Sequence, residues 1–325
     1  MLPEPPDPYN VSLTTGPLVD LSRNVTQGGT TSPWTLMLSV FQPATCKSTI
    51  AVPYMPDQTA EFQGQYLQQA FNMTEDFTPL FISAQLPVCP SQPKNCHEPQ
   101  AAKDFPILLI SPGWAVSRLY YSAVASAIAS QGFTVITIDS PSDASTITYP
   151  NNTTYTSPNL VWSDTIARSA ESIRATDASF LIDQLLARTP AITSLLPHLP
   201  KAPRIAMLGH SLGGAASLLA ASLDSRIAAA INWDGSIFSD LSSPNATSLT
   251  VPQPVLLLMD AETAIPPDWE AAWPRFTGPK MWVEVNGTTH QSFSDVGVLL
   301  EAGGVVKEGV GHGLVVGVGG LSALF

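Results

Sequence analysis

The sequence predicts an α/β fold built on a mostly parallel, doubly wound sheet. Three observations predict it. Short, nearly unbroken apolar runs recur at 105–111, 133–138, 204–208, 227–233, 254–259 and 281–285, the composition of strands buried on both faces. Helical segments stand between several of them, which calls for crossover connections. Residues able to do chemistry, Ser211, Asp234, Asp260 and His290, each stand just past a strand end, where such sheets carry their sites.

Taken in order, residues 1–32 are rich in Pro, Thr and Gly, with an edge strand expected over 13–21. Residues 34–41 alternate as a second strand. Residues 42–104 carry many prolines and read as a loop-rich cover with one short helix near 64–71. The strand at 105–111 opens the core and a turn follows at 112–115. A helix spans 119–130, with Tyr120, Val124 and Ile128 four apart, and Gly132 ends it. The next strand is 133–138, and 139–162 reads as a polar loop. A long amphipathic helix covers 164–188, capped by Asp164, with Ile173, Phe180, Leu181 and Leu185 facing inward. The expected organisation is one domain over 1–325: edge strands and cover over 1–104, catalytic core over 105–295, tail over 296–325. The apolar stretch 313–325 reads as a terminal strand or helix rather than a lipid-anchor remnant.

The chain is organised around Gly209-His210-Ser211-Leu212-Gly213, which fits G-x-S-x-G between an apolar strand and an Ala/Leu-rich helix. On such a sharp turn a serine hydroxyl projects above the sheet, and a Cβ at either glycine would collide with the neighbouring strand and helix. Ser211 is therefore the candidate nucleophile. It needs a base, and imidazole titrates near neutrality. Of the five histidines, His210 is expected to point away from the serine. His97 and His198 lie in Pro-rich loops, and His312 lies in a Gly-rich tail. His290 follows the last strand, as the order Ser, Asp, His requires. Asp234 and Asp260 each end a strand, and either is placed to accept the imidazole Nδ1–H. The oxyanion needs two backbone N–H groups. Leu212, after the nucleophile, supplies one. Trp114 supplies the other, with Gly113 letting the chain turn; the Trp114 indole also stands where it would wall an acyl pocket.

Bulk composition narrows the partners. The chain has 325 residues, 14 basic and 26 acidic, with a formal net charge of −12. That balance argues against nucleic acid and against electrostatic docking on anionic membranes. No run of 18 apolar residues is present, so no transmembrane helix is expected. No cofactor or metal is called for, because the three cysteines, Cys46, Cys89 and Cys96, have no His cluster beside them. Cys89 and Cys96 bracket a Pro-rich loop whose spacing allows a small disulfide ring; an odd count leaves one thiol over, and the pairing among the three stays open. Asn-x-Ser/Thr acceptors at Asn10, Asn24, Asn72, Asn151, Asn152, Asn245 and Asn286 suggest a secreted glycoprotein. Residues 1–7 have no basic start or apolar core, so either a leader is absent from this sequence or the protein is not exported.

Five motifs carry a family resemblance: Ser111-Pro-Gly-Trp-Ala-Val-Ser-Arg-Leu-Tyr-Tyr-Ser122, Ser130-Gln-Gly-Phe133, Gly209-His-Ser-Leu-Gly-Gly-Ala215, Asn232-Trp-Asp-Gly-Ser-Ile-Phe238 and Gly287-Thr-Thr-His-Gln-Ser-Phe-Ser-Asp295. Together they resemble platelet-activating factor acetylhydrolases of the plasma type and their fungal relatives. The resemblance implies an α/β-hydrolase fold and a calcium-independent serine esterase that removes short acyl groups from phospholipids. It implies Ser211 as nucleophile, Asp234 as acid, His290 as base, and Trp114 and Leu212 as the oxyanion donors. The family's His-Gly pair is Pro112-Gly113 here. The Ser-Pro-Gly-aromatic turn with Ser-Gln-Gly-Phe is also similar to bacterial cutinases that cleave polyesters. Their acid lies one strand later, at Asp260. A lipid-binding pseudo-hydrolase is the non-enzyme alternative, and the complete Ser/Asp/His set favours the enzyme.

Overall fold

Every second residue of a strand faces the same side of its sheet, so a strand covered on both faces must be apolar throughout. The computed structural model shows this directly. It describes residues 1–304 apart from 7, 28, 71–75, 91–95, 98–104, 158–160, 198, 244–248 and 262–265. In β6 (Ile107–Ser111), Ile107 and Leu109 join one core while Leu108 and Ile110 join the other. The expectations for 313–325, His198 and His312 lie outside the described residues.

The chain opens with β1 (Asn10–Gln27) and β2 (Thr30–Cys46), a long antiparallel hairpin. The hairpin forms one end of the main sheet, with β1 outermost and β2 paired antiparallel with β7, where edge strands were expected. The covering elements follow: β3 (Ile50–Pro53), α1 (Asp57–Ala70), α2 (Thr78–Ser83) and β4 (Gln85–Val88), with β3 and β4 forming their own hairpin. The helix expected near 64–71 thus begins at Asp57, and a second one accompanies it. The two-residue β5 (Cys96–His97) pairs with the end of β2. Beyond β6, a 3₁₀ turn at Arg118–Tyr121 leads into α3 (Ser122–Ser130), then β7 (Thr134–Asp139).

Residues 139–162 are not a solvated polar loop. Asp139 to Thr148 are buried, and β8 (Ile147–Thr148) pairs with β9 (Thr154–Tyr155). The long helix α4 (Asp164–Ala187) is capped by Ser163, whose hydroxyl accepts the Ile166 N–H at 3.2 Å. Asp164 is its first residue, where its charge complements the helix dipole instead. Leu181 and Leu185 are buried as expected, with Ile173 and Phe180 packed at the margin. Then come α5 (Pro190–Leu195), β10 (Ile205–His210), α6 (Leu212–Leu223), β11 (Ile227–Trp233), β12 (Val255–Asp260), α7 (Pro267–Ala272), β13 (Lys280–Val285) and α8 (Val296–Ala302).

The sheet order is β1-β2-β7-β6-β10-β11-β12-β13, with β5 paired to β2 off this path. From β7 to β13 every neighbour is parallel. One core lies under α4 and α6, and the other lies under α3, α2 and α8.

The Cys89–Cys96 ring that the spacing allows is not formed. Cys46 bonds Cys89, with Cα atoms 5.8 Å apart. The reason is sheet geometry: the Cys89 N–H donates to the Val11 carbonyl at 2.7 Å. This lays the end of β4 against the β1–β2 hairpin, beside the end of β2.

Candidate active site

The strand β10 and the helix α6 meet at Ser211, and the turn between them has almost no space. A Cβ on Gly209 would lie 1.9 Å from the Gly213 carbonyl oxygen, and one on Gly213 would lie 2.0 Å from the Ser111 carbonyl oxygen. Only hydrogen fits at both. Ser211 itself takes φ 54° and ψ −126°, and its N–H donates to Trp233 O at 2.8 Å. Positive φ is unfavourable for a residue with a Cβ, and the turn is held by the packing around it. Leu212 opens α6, where backbone N–H groups have no partner within the helix.

Asp234 follows β11 with φ 54°, and its N–H donates to Leu258 O at 2.7 Å. The adjacent Gly235 is needed for space rather than for turning, since its Cβ would meet Ser211 O at 1.9 Å. The acid turn therefore packs directly on the serine turn. Asp234 Oδ2 lies 2.5 Å from His290 Nδ1, and Oδ1 accepts the Asp260 N–H at 3.0 Å. Asp260 is 1% exposed and lies beside this pair; the ligating atoms of Asp234, Asp260 and His290 fall within 4.8 Å of one another. The 2.5 Å contact is a hydrogen bond. Two ligands on one cation at ~2.0–2.2 Å each stand farther apart than that. His290 begins a 3₁₀ turn capped reciprocally by Thr289 and Ser292, and its side chain is 41% exposed.

The turn that carries Trp114 is clamped from both sides. The Arg174 guanidinium, from α4, donates to the carbonyls of Pro112 and Gly113 and to the Ser111 hydroxyl, and it pairs with the buried Asp143. On the other side, Tyr121 accepts the Gly113 N–H at 2.9 Å. The unusual backbone falls at Ala115, φ 56°, not at Gly113. The Trp114 indole packs edge-on to Trp162 at 5.2 Å, and Trp162 packs on Phe238 at 5.4 Å. Both Trp114 and Phe238 rest on a small cluster of Leu212, Ala167 and Ala170.

His210 does not simply turn away from the site. It is buried, its ring lies 4.5 Å from that of His290, and its Nδ1 is 2.7 Å from the Tyr121 hydroxyl. Burial holds its pKa well below the ordinary histidine value, and a charge on His290 lowers it further. Asp295 is also buried. It accepts Tyr54 O–H at 2.8 Å and the α3 N–H groups of Ala123 and Val124 at 2.7 and 3.0 Å. Desolvation still pushes its carboxyl up to about 7. These contacts tie the segment after His290 to α3. Sequence reading assigned no role to Arg174, Tyr121 or Asp295. Arg174 had a signal, being a cation on the inward stripe of α4 between Ala170 and Ala178.

Ser211 and His290 line a cleft of about 280 Å³ that also reaches Gly113, Trp114, Trp162 and Gln291. An apolar recess of about 160 Å³, lined by Phe77, Phe81, Leu299 and Leu300, shares Leu67, Gln291 and Val296 with the cleft. Of the expected site residues, Ser211, His290, Trp114 and Leu212 surround this cleft or its wall, Asp234 lies behind His290, and Asp260 lies behind Asp234.

A serine on a strand–helix elbow over a parallel sheet defines a class, and residues 107–314 match the alpha/beta hydrolase family. Residues 12–176 match platelet-activating factor acetylhydrolase, isoform II. The chain belongs to that family and is a carboxylic ester hydrolase. It is 31% identical over 318 residues to a protein of Arthroderma benhamiae named as a probable 1-alkyl-2-acetylglycerophosphocholine esterase, covering 94% of this chain and 79% of the relative. A ferulic acid esterase structure from Streptomyces cinnamoneus shares the fold, with a TM-score of 0.72, 24% identity, and coverage of 92% of this chain and 80% of that one.

Proposed function

We propose that the chain is a serine esterase for short-acyl esters of lipid-like alcohols, acting through an acyl-serine intermediate. The observation that carries this reading is the Asp234–His290 hydrogen bond beside a serine on a strained elbow. In this reading His290 Nε2 takes the Ser211 proton as Oγ attacks the ester carbonyl. Asp234 fixes the tautomer that leaves Nε2 as the base and stabilises the imidazolium. The N–H groups of Trp114 and Leu212 hold the oxyanion. His290 then gives its proton to the leaving alcohol, and water, activated by the same imidazole, releases the acid. The proton sites do not require a metal or an organic cofactor.

The walls of the cleft supply the substrate preference. The leaving alcohol must stand beside the group that protonates it, so it lies on the His290 side. On that side the apolar recess shares Leu67, Gln291 and Val296 with the cleft. The acyl group lies toward the oxyanion donors, where Trp114, Trp162 and Phe238 stand. A small acid and an apolar alcohol follow, in keeping with the acetyl ester in the relative's name. Hexyl acetate and ethyl hexanoate are isomers that test this. The expected result is Ser211 labelled by a fluorophosphonate and higher kcat/KM for hexyl acetate. Faster hydrolysis of ethyl hexanoate, or of polyester film over acetylated alkyl-glycerophosphocholine, would reverse the assignment toward a cutinase-like enzyme.

The disulfide and the exposed acceptors Asn24, Asn151, Asn152 and Asn286 support a secreted glycoprotein. A drop in mass after peptide N-glycosidase treatment of natively produced protein checks this.

A further inference from the structure

The buried Tyr121–His210 pair joins two parts of the site that chemistry needs in register. One hydroxyl, on Tyr121, serves both. Backbone N–H groups only donate, so Tyr121 accepts from Gly113 and has its own proton left to donate to His210 Nδ1. Tyr121 is fully buried, and desolvation keeps its phenol protonated far above the working pH range. With Nδ1 accepting, His210 carries its proton on Nε2. The Nε2 atom is buried and makes no hydrogen bond of good geometry among the described residues. The His210 ring is flanked by His290 at 4.5 Å and by Phe293 at 6.1 Å. The ionisable groups facing it are Tyr121 and His290.

We infer that Tyr121 and His210 are positioning residues that couple the oxyanion turn to the base. Tyr121 holds the Gly113 N–H, which sets the direction of the next amide, Trp114. The same hydroxyl locks His210 as a neutral ring, and that ring is the floor on which His290 stands. Neutrality matters because His290 becomes cationic during each acyl transfer, and a second cation 4.5 Å away would oppose it. The phenol therefore links both devices through a single atom, and their loss should not be separable. This inference rests on the Ser211–His290 reading of the site.

The test is a double-mutant cycle. Tyr121→Phe keeps the ring and removes the shared hydroxyl. His210→Phe keeps a flat ring under His290 and removes the acceptor. Each is expected to lower kcat about 10- to 100-fold, the scale of a small misplacement at a reacting centre, with little change in KM. The double variant is expected to lose no more than the worse single, because residues acting as one unit are not additive. Losses that multiply, or an unchanged kcat in folded Tyr121→Phe, overturn the inference. A measurement on the unmodified protein stands beside the variants. Nitrogen NMR of labelled histidine should show His210 neutral and protonated on Nε2 across about pH 5.5 to 8. A titrating His210, or a proton on Nδ1, overturns the inference as well. If Ser211→Ala retains hydrolysis, the reading of the site itself has failed; if Ser211→Ala is dead while Tyr121→Phe is normal, only the coupling has failed.

Discussion

The serine elbow and the His290 segment sit on one cleft but are held by different forces. At the elbow the constraint is steric. Backbone oxygens occupy the space a Cβ would need at Gly209 and Gly213, and the turn has no softer alternative. Around His290 the constraint is a set of hydrogen bonds: Nδ1 to Asp234, the Thr289–Ser292 reciprocal cap, and Asp295 gripping α3 and Tyr54. A steric constraint fails all at once. A hydrogen-bonded one can be removed bond by bond, so the His290 side is where graded experiments resolve which contact does what.

The largest effect is expected at the bond between Asp234 and His290. Asp234→Asn disfavours the useful tautomer and leaves the imidazolium unpaired, and the serine-protease template puts that loss at about 10⁴ in kcat. Asp260→Asn is expected to lose far less, since it is Asp234 Oδ2 that meets His290 Nδ1. Steady-state kinetics on both variants, each checked for folding by circular dichroism, decide it. If Asp260→Asn is the crippled enzyme, the acid lies one strand later.

The next effect falls on the anchor of the segment. Asp295→Ala leaves two N–H groups and the Tyr54 hydroxyl without their acceptor in a buried site. Unsatisfied buried groups cost about 1–3 kcal/mol each, and partial rearrangement should leave a net loss of about 3 kcal/mol. Urea unfolding measures it. A loss below about 1 kcal/mol would mean that the segment is held mainly by its apolar contacts, Phe293 among them.

The smallest effect concerns pH and lies on α4, beside Phe238. Glu171 of α4 is fully buried, and its carboxyl faces Ser239 and the Phe238 backbone without hydrogen bonds of good geometry. Desolvation pushes it up to about 7, against the pull of Ser239 and Arg168. In the unfolded chain a glutamate titrates near ~4.3. Between those values the folded state binds the extra proton, so its contribution to stability falls as pH rises from about 4 to about 7. Glu171→Gln has no proton to lose. Relative to the unmodified protein, its melting temperature should improve more at pH 8 than at pH 5. An equal difference at both pH values would exclude Glu171 as the source.

The sequence by itself determined the sheet and the places of the candidate site residues along it. Short unbroken apolar runs such as 107–110, flanked by turn residues, read as strands covered on both faces. Each strand end then places Ser211, Asp234, Asp260 and His290 on one edge of the sheet. Local rules also located the elbow, because a Gly-x-Ser-x-Gly turn between strand and helix has few other uses. What only the tertiary structure decided were the contacts between segments distant in the chain. Sequence spacing suggested Cys89 with Cys96, but the β1–β2 hairpin brings Cys46 to Cys89 across 43 residues. Residues 139–148 read as solvated because they are polar, yet they are buried around the Arg174–Asp143 pair. Their polarity is satisfied by partners from other elements, which no local pattern encodes. The same holds for Tyr121, 89 residues from His210. Periodicity reports which face of an element is buried, whereas pairing across the fold depends on where the other elements come to rest.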